Sequence, residues 1–218
     1  LMVGDSSTGP MSTKLSTGVE VLDRELAGGL PAGSVVAFQA PAASQGELVL
    51  YELTRPRSTL YLTSDRTEDA VADAIEATTA PTGSPEIQLI SGEDPIDTTR
   101  RAVRGALDEM TVIIDPIDPL ERGGSARYEQ LLNEIRNHMQ NTGGIAFLHA
   151  LEGSDTPALR STTQHMADIV LDLDVQINGN EIDNRLTVRK YRGGRIPNET
   201  IKLDLSERVR VDTSRDIA

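Results

Sequence analysis

The clearest chemical pattern lies in eight consecutive residues: Ala40, Pro41, Ala42, Ala43, Ser44, Gln45, Gly46 and Glu47. Before them runs Ser34 to Gln39, an apolar strand, and after them Glu47 to Thr54, an apolar helix. Strand, tight loop and helix N-terminus in that order form a phosphate-binding layout, because glycines let backbone N–H groups approach the oxygens. The complete pattern is G-x-x-x-x-G-K-[ST], in which lysine reaches the β and γ phosphates and the hydroxyl holds Mg²⁺. Here the first glycine is Ala40, the second Gln45, the lysine Gly46 and the hydroxyl Glu47. A carboxylate opening a helix steadies it by ~0.3–1 kcal/mol. Facing a phosphate at ~4 Å, with an effective dielectric near 20, the same carboxylate costs roughly 4 kcal/mol before salt screening. The loop is therefore expected to keep the scaffold and to hold neither ATP nor Mg²⁺.

Few other groups offer chemistry. The absence of Cys removes disulfides, thiolate nucleophiles and thiolate metal sites together. His138, His149 and His165 form no recognisable ligand pair, so no metal site is expected. Two carboxylates follow apolar strands: Asp65 after Ser58 to Thr63, and Asp115 at the end of Thr111 to Asp115. Each has a plain reading, Asp65 as a cap for the helix from Thr67 or a partner of Arg66, Asp115 as a carboxylate bonding local N–H groups. His149 stands near the carboxyl end of the strand Ile145 to Ala150, where open α/β sheets place ligands. A hydrogen-bonded core histidine would look the same.

The elements that must position these groups alternate between strand and helix. Ser16 or Thr17 is read as the cap of a short helix bearing Val19, Leu22 and Leu26, which Gly28-Gly29 ends. Thr67 to Ala77, Asp97 to Met110 and Ser125 to Asn141 read as amphipathic helices. In the second, Val103, Ala106, Leu107 and Met110 repeat at helical spacing. Glu86 to Ile90 is a further strand. Strands alternating with helices predict a mostly parallel sheet flanked by helices, an α/β fold. The last third changes character: Ile169 to Gln176, Arg185 to Tyr191, Thr200 to Leu205 and Val209 to Val211 read as a C-terminal antiparallel β extension, with Asn178-Gly179 and Gly193-Gly194 as turns. Residues 1–13 read as a flexible lead and 14–218 as one domain.

The formal net charge is -13, and only Lys14, Lys190 and Lys202 of the 21 basic residues are lysine. That balance opposes a strong grip on nucleic acid or anionic lipid. Abundant Asp and Glu with little Lys and few aromatic residues resemble proteins of salt-accumulating archaea. Salt there screens charge within ~3 Å at 1 M, which weakens the argument from charge. No apolar run approaches the ~20 residues of a membrane span, and a cytoplasmic location is expected.

With its motifs in order, the chain resembles the RecA-like P-loop ATPases, particularly the KaiC and archaeal RadA group. The likeness rests on Thr17-Gly18, Leu22-Asp23, Gly28 to Pro31 and Gly33-Ser34 before the loop, the strand ending at Asp115, and Arg189 to Gly193. The loop reading A-P-x-A-S-Q-x-E is similar to a haloarchaeal RadA-like or KaiC-like branch with a degenerate Walker A loop. The resemblance implies a RecA-like fold, with Asp65 at the position of the catalytic glutamate and Asp115 at that of the Walker B aspartate. Arg66 replaces a second acid. It also implies that Lys190 and Arg192 lie at a subunit interface, and that Glu152 to Gln164 corresponds to the DNA-contacting loop, here with Arg160 as its only base.

Two functions follow from different premises. The first is a non-hydrolysing pseudo-ATPase, catalytically silent, regulating or assembling through a protein partner or copies of itself. The alternative is an ATP-binding or DNA-binding recombinase paralogue in archaeal DNA repair, for which Lys190 or Arg192 of a neighbour would have to supply the missing cation.

Overall fold

A computed structural model describes residues 13–179, 181–206 and 209–211. The chain begins with a short ribbon, β1 (Lys14–Leu15), then α1 (Glu20–Glu25) and β2 (Leu30–Pro31), which pairs with β1. The α/β core follows as β3 (Val35–Pro41), α2 (Gly46–Glu52), β4 (Thr59–Thr63), α3 (Glu68–Ala77), β5 (Glu86–Leu89), α4 (Pro95–Gly105) and β6 (Thr111–Asp115). It continues with α5 (Asp118–Glu121), α6 (Ser125–Thr142), β7 (Ile145–Glu152), α7 (Arg160–Met166) and β8 (Ile169–Asn178). The last strands are β9 (Glu181–Tyr191), β10 (Ile201–Asp204) and β11 (Arg210–Val211).

Nine strands form one sheet in the order β11-β10-β9-β8-β3-β7-β6-β4-β5. From β8 to β5 every pairing is parallel, and β9 to β11 extend the β8 side in antiparallel steps. The central strands are buried on both faces, which is why they read as continuous apolar runs. One face packs Phe38, Tyr61, Ile113 and Phe147 against α1, α2 and α3. The other packs Leu62, Ile114 and Leu148 against α4, α5 and α6.

Several local expectations change. Helix α4 ends at Gly105, and Leu107 is 74% exposed rather than on a core face. Helical spacing persisted through Met110, but Ala106 turns to extended backbone and Glu109 takes a φ of 59°. The helix also starts earlier, where the Asp94 side chain accepts from the N–H of Asp97 and Pro95 opens the first turn. Neither Ser16 nor Thr17 caps α1. Both hydroxyls donate to Asp23, at 2.6 and 2.7 Å, and tie the approach segment to the helix side. Residues 1–12 of the lead lie outside the described residues, while Thr13 already accepts the N–H of Ala32. Among the described residues no helix is long and apolar enough to cross a membrane.

Candidate functional site

The loop expected from sequence sits between β3 and α2 at the carboxyl ends of the parallel strands. Some of its N–H groups already have partners. The N–H of Ala42 donates to the Glu152 carbonyl at 3.2 Å, that of Gly46 to Ser44 Oγ at 3.2 Å, and that of Leu48 to the Gln45 carbonyl at 3.1 Å. A Cβ built on Gly46 would stand 2.9 Å from the Cβ of Ala40 and 3.2 Å from Ser44 Oγ. The alanine at the first motif position thus crowds the position where the motif requires lysine.

Asp115 ends β6 at 2% exposure, beside the loop. Three side chains converge on it. His149 Nδ1 lies 2.6 Å from Oδ1, and Arg66 donates to Oδ2 at 2.8 Å. The hydroxyl of Tyr61 also donates to Oδ2. Burial alone would raise the Asp115 carboxyl, yet it is held below the usual range, chiefly by the His149 hydrogen bond, with Tyr61 and Arg66 adding to it. Asp115 is therefore satisfied by side chains and not by local N–H groups.

Arg66 is the residue that sequence reading underestimated. It lies three residues beyond the end of β4, and its guanidinium spans the site: one nitrogen on Asp115, the other 3.2 Å from Glu47 Oε2 and 3.0 Å from Tyr51 Oη. Tyr51 Oη in turn donates to Glu47 at 3.0 Å. Glu47 and Tyr51 are one helical turn apart on α2, so the helix presents both to the same arginine. Burial pushes the Tyr51 hydroxyl up to about 12, with the Glu47 charge adding and Arg66 opposing. Burial works against the Arg66 charge, but Tyr51, Tyr61 and Asp115 more than compensate and raise it. A signal was present in the sequence: one acid enters the loop at Glu47 while a base enters at Arg66, a reciprocal exchange of charge.

Asp65 is exposed and makes neither of the bonds expected of it. The cap of α3 is Thr67, whose hydroxyl accepts from the N–H of Ala70, and the acids bonded to Arg66 are Glu47 and Asp115. The Asp65 carboxyl is raised, first by burial and then by the Asp115 charge. His149 is 3% exposed, stacks on Phe38 with centroids 5.5 Å apart, and leaves Nε2 without a hydrogen-bond partner.

Lys190 and Arg192 are brought to each other but not to the loop. Lys190 Nζ donates to the carbonyls of Gln164 and His165 at 3.0 and 2.7 Å, at the C-terminal end of α7. Arg192 joins the His165 carbonyl at 3.3 Å and Asp168 at 3.2 Å. Arg160, the one base of the segment from Glu152 to Gln164, is 5% exposed and donates to Glu121, Asp118 and the Leu151 carbonyl. Its guanidinium faces inward, away from any external polyanion.

Residues 14–218 match DUF7125, a family of unknown function. The chain belongs to this family. No curated protein matches the sequence. Among solved structures, this DUF7125 chain is similar to a KaiC-like protein from the hyperthermophilic archaeon Pyrococcus horikoshii OT3. The TM-score is 0.72 with 13% identity, over 92% of this chain and 100% of that one. At that identity the likeness concerns the fold, and with the sheet order above it makes the DUF7125 chain a RecA-like α/β protein with an antiparallel C-terminal extension.

Proposed function

We propose that the chain is a non-hydrolysing, haloarchaeal RecA/KaiC-like module with a degenerate Walker A loop, acting in the cytoplasm by contact with protein partners or with copies of itself. One observation carries this reading: a single guanidinium, that of Arg66, joins Glu47 on the loop helix to Asp115 on the strand end. In this reading the site does not fit magnesium nucleotide. The position that needs a hydroxyl holds a carboxylate already committed to Arg66, and Asp115 has its oxygens on His149, Tyr61 and Arg66. The obstacle differs from simple repulsion, because Arg66 offsets much of the Glu47 charge. A phosphate would have to break bonds already made by Glu47 and Asp115, and by the N–H groups of Ala42 and Gly46.

The internal bonding of Arg160 favours this reading over a DNA-binding one, since it turns inward the one base of the segment from Glu152 to Gln164. Calorimetry with Mg-ATP in molar salt tests it. No heat of binding is expected, and micromolar binding that Asp115→Ala abolishes would overturn it. A rescue sharpens the result. Gly46→Lys with Glu47→Thr should stay inert because Ala40 crowds the new side chain, whereas adding Ala40→Gly should bring nucleotide affinity to roughly millimolar or tighter, about 4 kcal/mol of binding.

A further inference from the structure

One polar pit lies outside the loop and is unused by the reading above. It opens where the carboxyl ends of β3 and β7 meet the first half of β8, with a volume of about 350 Å³, among Gln39, Glu152, Gln164, Asp172, Arg189 and Lys190. Strand alternation puts Gln39 on the face opposite Phe38, so the pit is separated from Asp115 by the sheet itself.

Its floor is unusual for such a strand. Gln39 is the one polar residue in the run from Val35 to Pro41, and it is 3% exposed. Asp172, its partner on β8, is 6% exposed. A buried amide at the centre of a parallel sheet is costly unless well bonded. The side-chain bond of Gln39 is a long one, 3.4 Å from Nε2 to Glu152 Oε1. The walls carry opposite charges at separate places: Glu152 on one side, Lys190 and Arg189 on the other, with Arg189 also on Asp172. Glu152 is raised by burial and then by the Asp172 charge, and Lys190 is lowered by burial and then by Arg192. Burial and a like-charged neighbour thus disfavour the charged forms of Glu152 and Lys190. A lone cation would relieve only the acid, and a lone anion only the base. A ligand carrying both charges relieves both at once.

We propose that this pit binds a small zwitterion of the α-amino-acid class, its ammonium on Glu152 and the Gln39 carbonyl, its carboxylate on Arg189 and Lys190. The cavity is at the small end of the ~300–1,000 Å³ typical of small-molecule sites, in keeping with such a ligand. The assignment is independent of the state of the nucleotide loop.

Isothermal titration calorimetry of the full chain tests it, using glycine, L-serine, L-glutamine and L-arginine, with ethylamine and acetate as the two half-molecules. At least one amino acid should bind with a Kd below ~10 mM while neither half-molecule does. Glu152→Gln, a change at the rim that keeps the shape, should weaken binding at least tenfold, about 1.4 kcal/mol. Gln39→Leu should do the same with its circular dichroism unchanged. Binding by none of the four, equal binding by a half-molecule, or undiminished binding in Glu152→Gln overturns the proposal.

Discussion

Two arginines, Arg66 and Arg160, each hold a pair of carboxylates, the first on α2 and β6 and the second on α5, yet they are built to different depths. Arg160 has a side-chain exposure of 6%, and its partners Asp118 and Glu121 stand at 12% and 0%. The set is closed by Thr163, which donates to Glu121, and by the hydroxyl pair of Tyr128 and Thr163 at 2.6 Å. Arg66 is exposed to 25% and Glu47 to 46%, with only Asp115 fully buried. Depth decides what an ion pair does. A fully enclosed one stabilises little relative to apolar packing but is very costly to break, whereas a half-exposed one can be altered without losing the fold. The first acts as a staple for α5 and α7, the second as a tie between α2 and the end of β6.

The largest effect is expected for Arg160→Met, which leaves Glu121 and Asp118 buried without their cation. Denaturant titration should show a loss of about 3–5 kcal/mol, and a loss under ~1 kcal/mol would erase the distinction drawn between the two arginines. Asp115→Asn comes next, at about 1–3 kcal/mol, because Arg66 and Tyr61 lose a charged acceptor while the shape is kept.

The same variant carries a pH signature. The folded Asp115 carboxyl lies below its unfolded value of ~3.9, so its contribution is complete above that pH and fades as pH falls through the folded value. The wild-type acid limb should therefore be steeper than that of Asp115→Asn. Asp65 and Glu152, both raised, work in the opposite sense, so a variant limb as steep as the wild type would assign the acid transition to other carboxylates.

Arg66→Ala should cost only about 1 kcal/mol, since Asp115 keeps His149 and Tyr61, and the loss should shrink in molar salt, as expected for partly exposed pairs. A salt-independent loss would mean that Arg66 behaves like Arg160. Smallest of all is Arg104→Ala on the outer face of α4, where the exposed bond to Glu134 at 2.9 Å should contribute no more than ~0.5 kcal/mol.

Much of the fold could be read from the chain because its core strands are chemically uniform. Thr111 to Asp115 appears as expected, an apolar run with a carboxylate end, and the loop between β3 and α2 falls where its small residues placed it. Helix α4 was read too long because Ala106, Leu107 and Met110 keep helical spacing while the backbone leaves the helix at Gly105. There the Met110 sulfur accepts the N–H of Leu107. Helix α7 was missed for the opposite reason: its residues, RSTTQHM, have no apolar period. The partner of His149 was also out of reach, since Asp115 lies 34 residues away in sequence and only the sheet brings them together.

Helix α7 has a further consequence. At 7 residues it is far shorter than the ~12–15 that are marginal alone in water, so its hydrogen bonds depend on what grips its ends. Arg160 fastens the first turn to α5, while Lys190 on β9 and Arg192 just after it hold the last carbonyls. In hydrogen exchange its amides should behave as a reporter shared by two distant parts of the chain. Loosening either end should make the whole segment exchange as one unit.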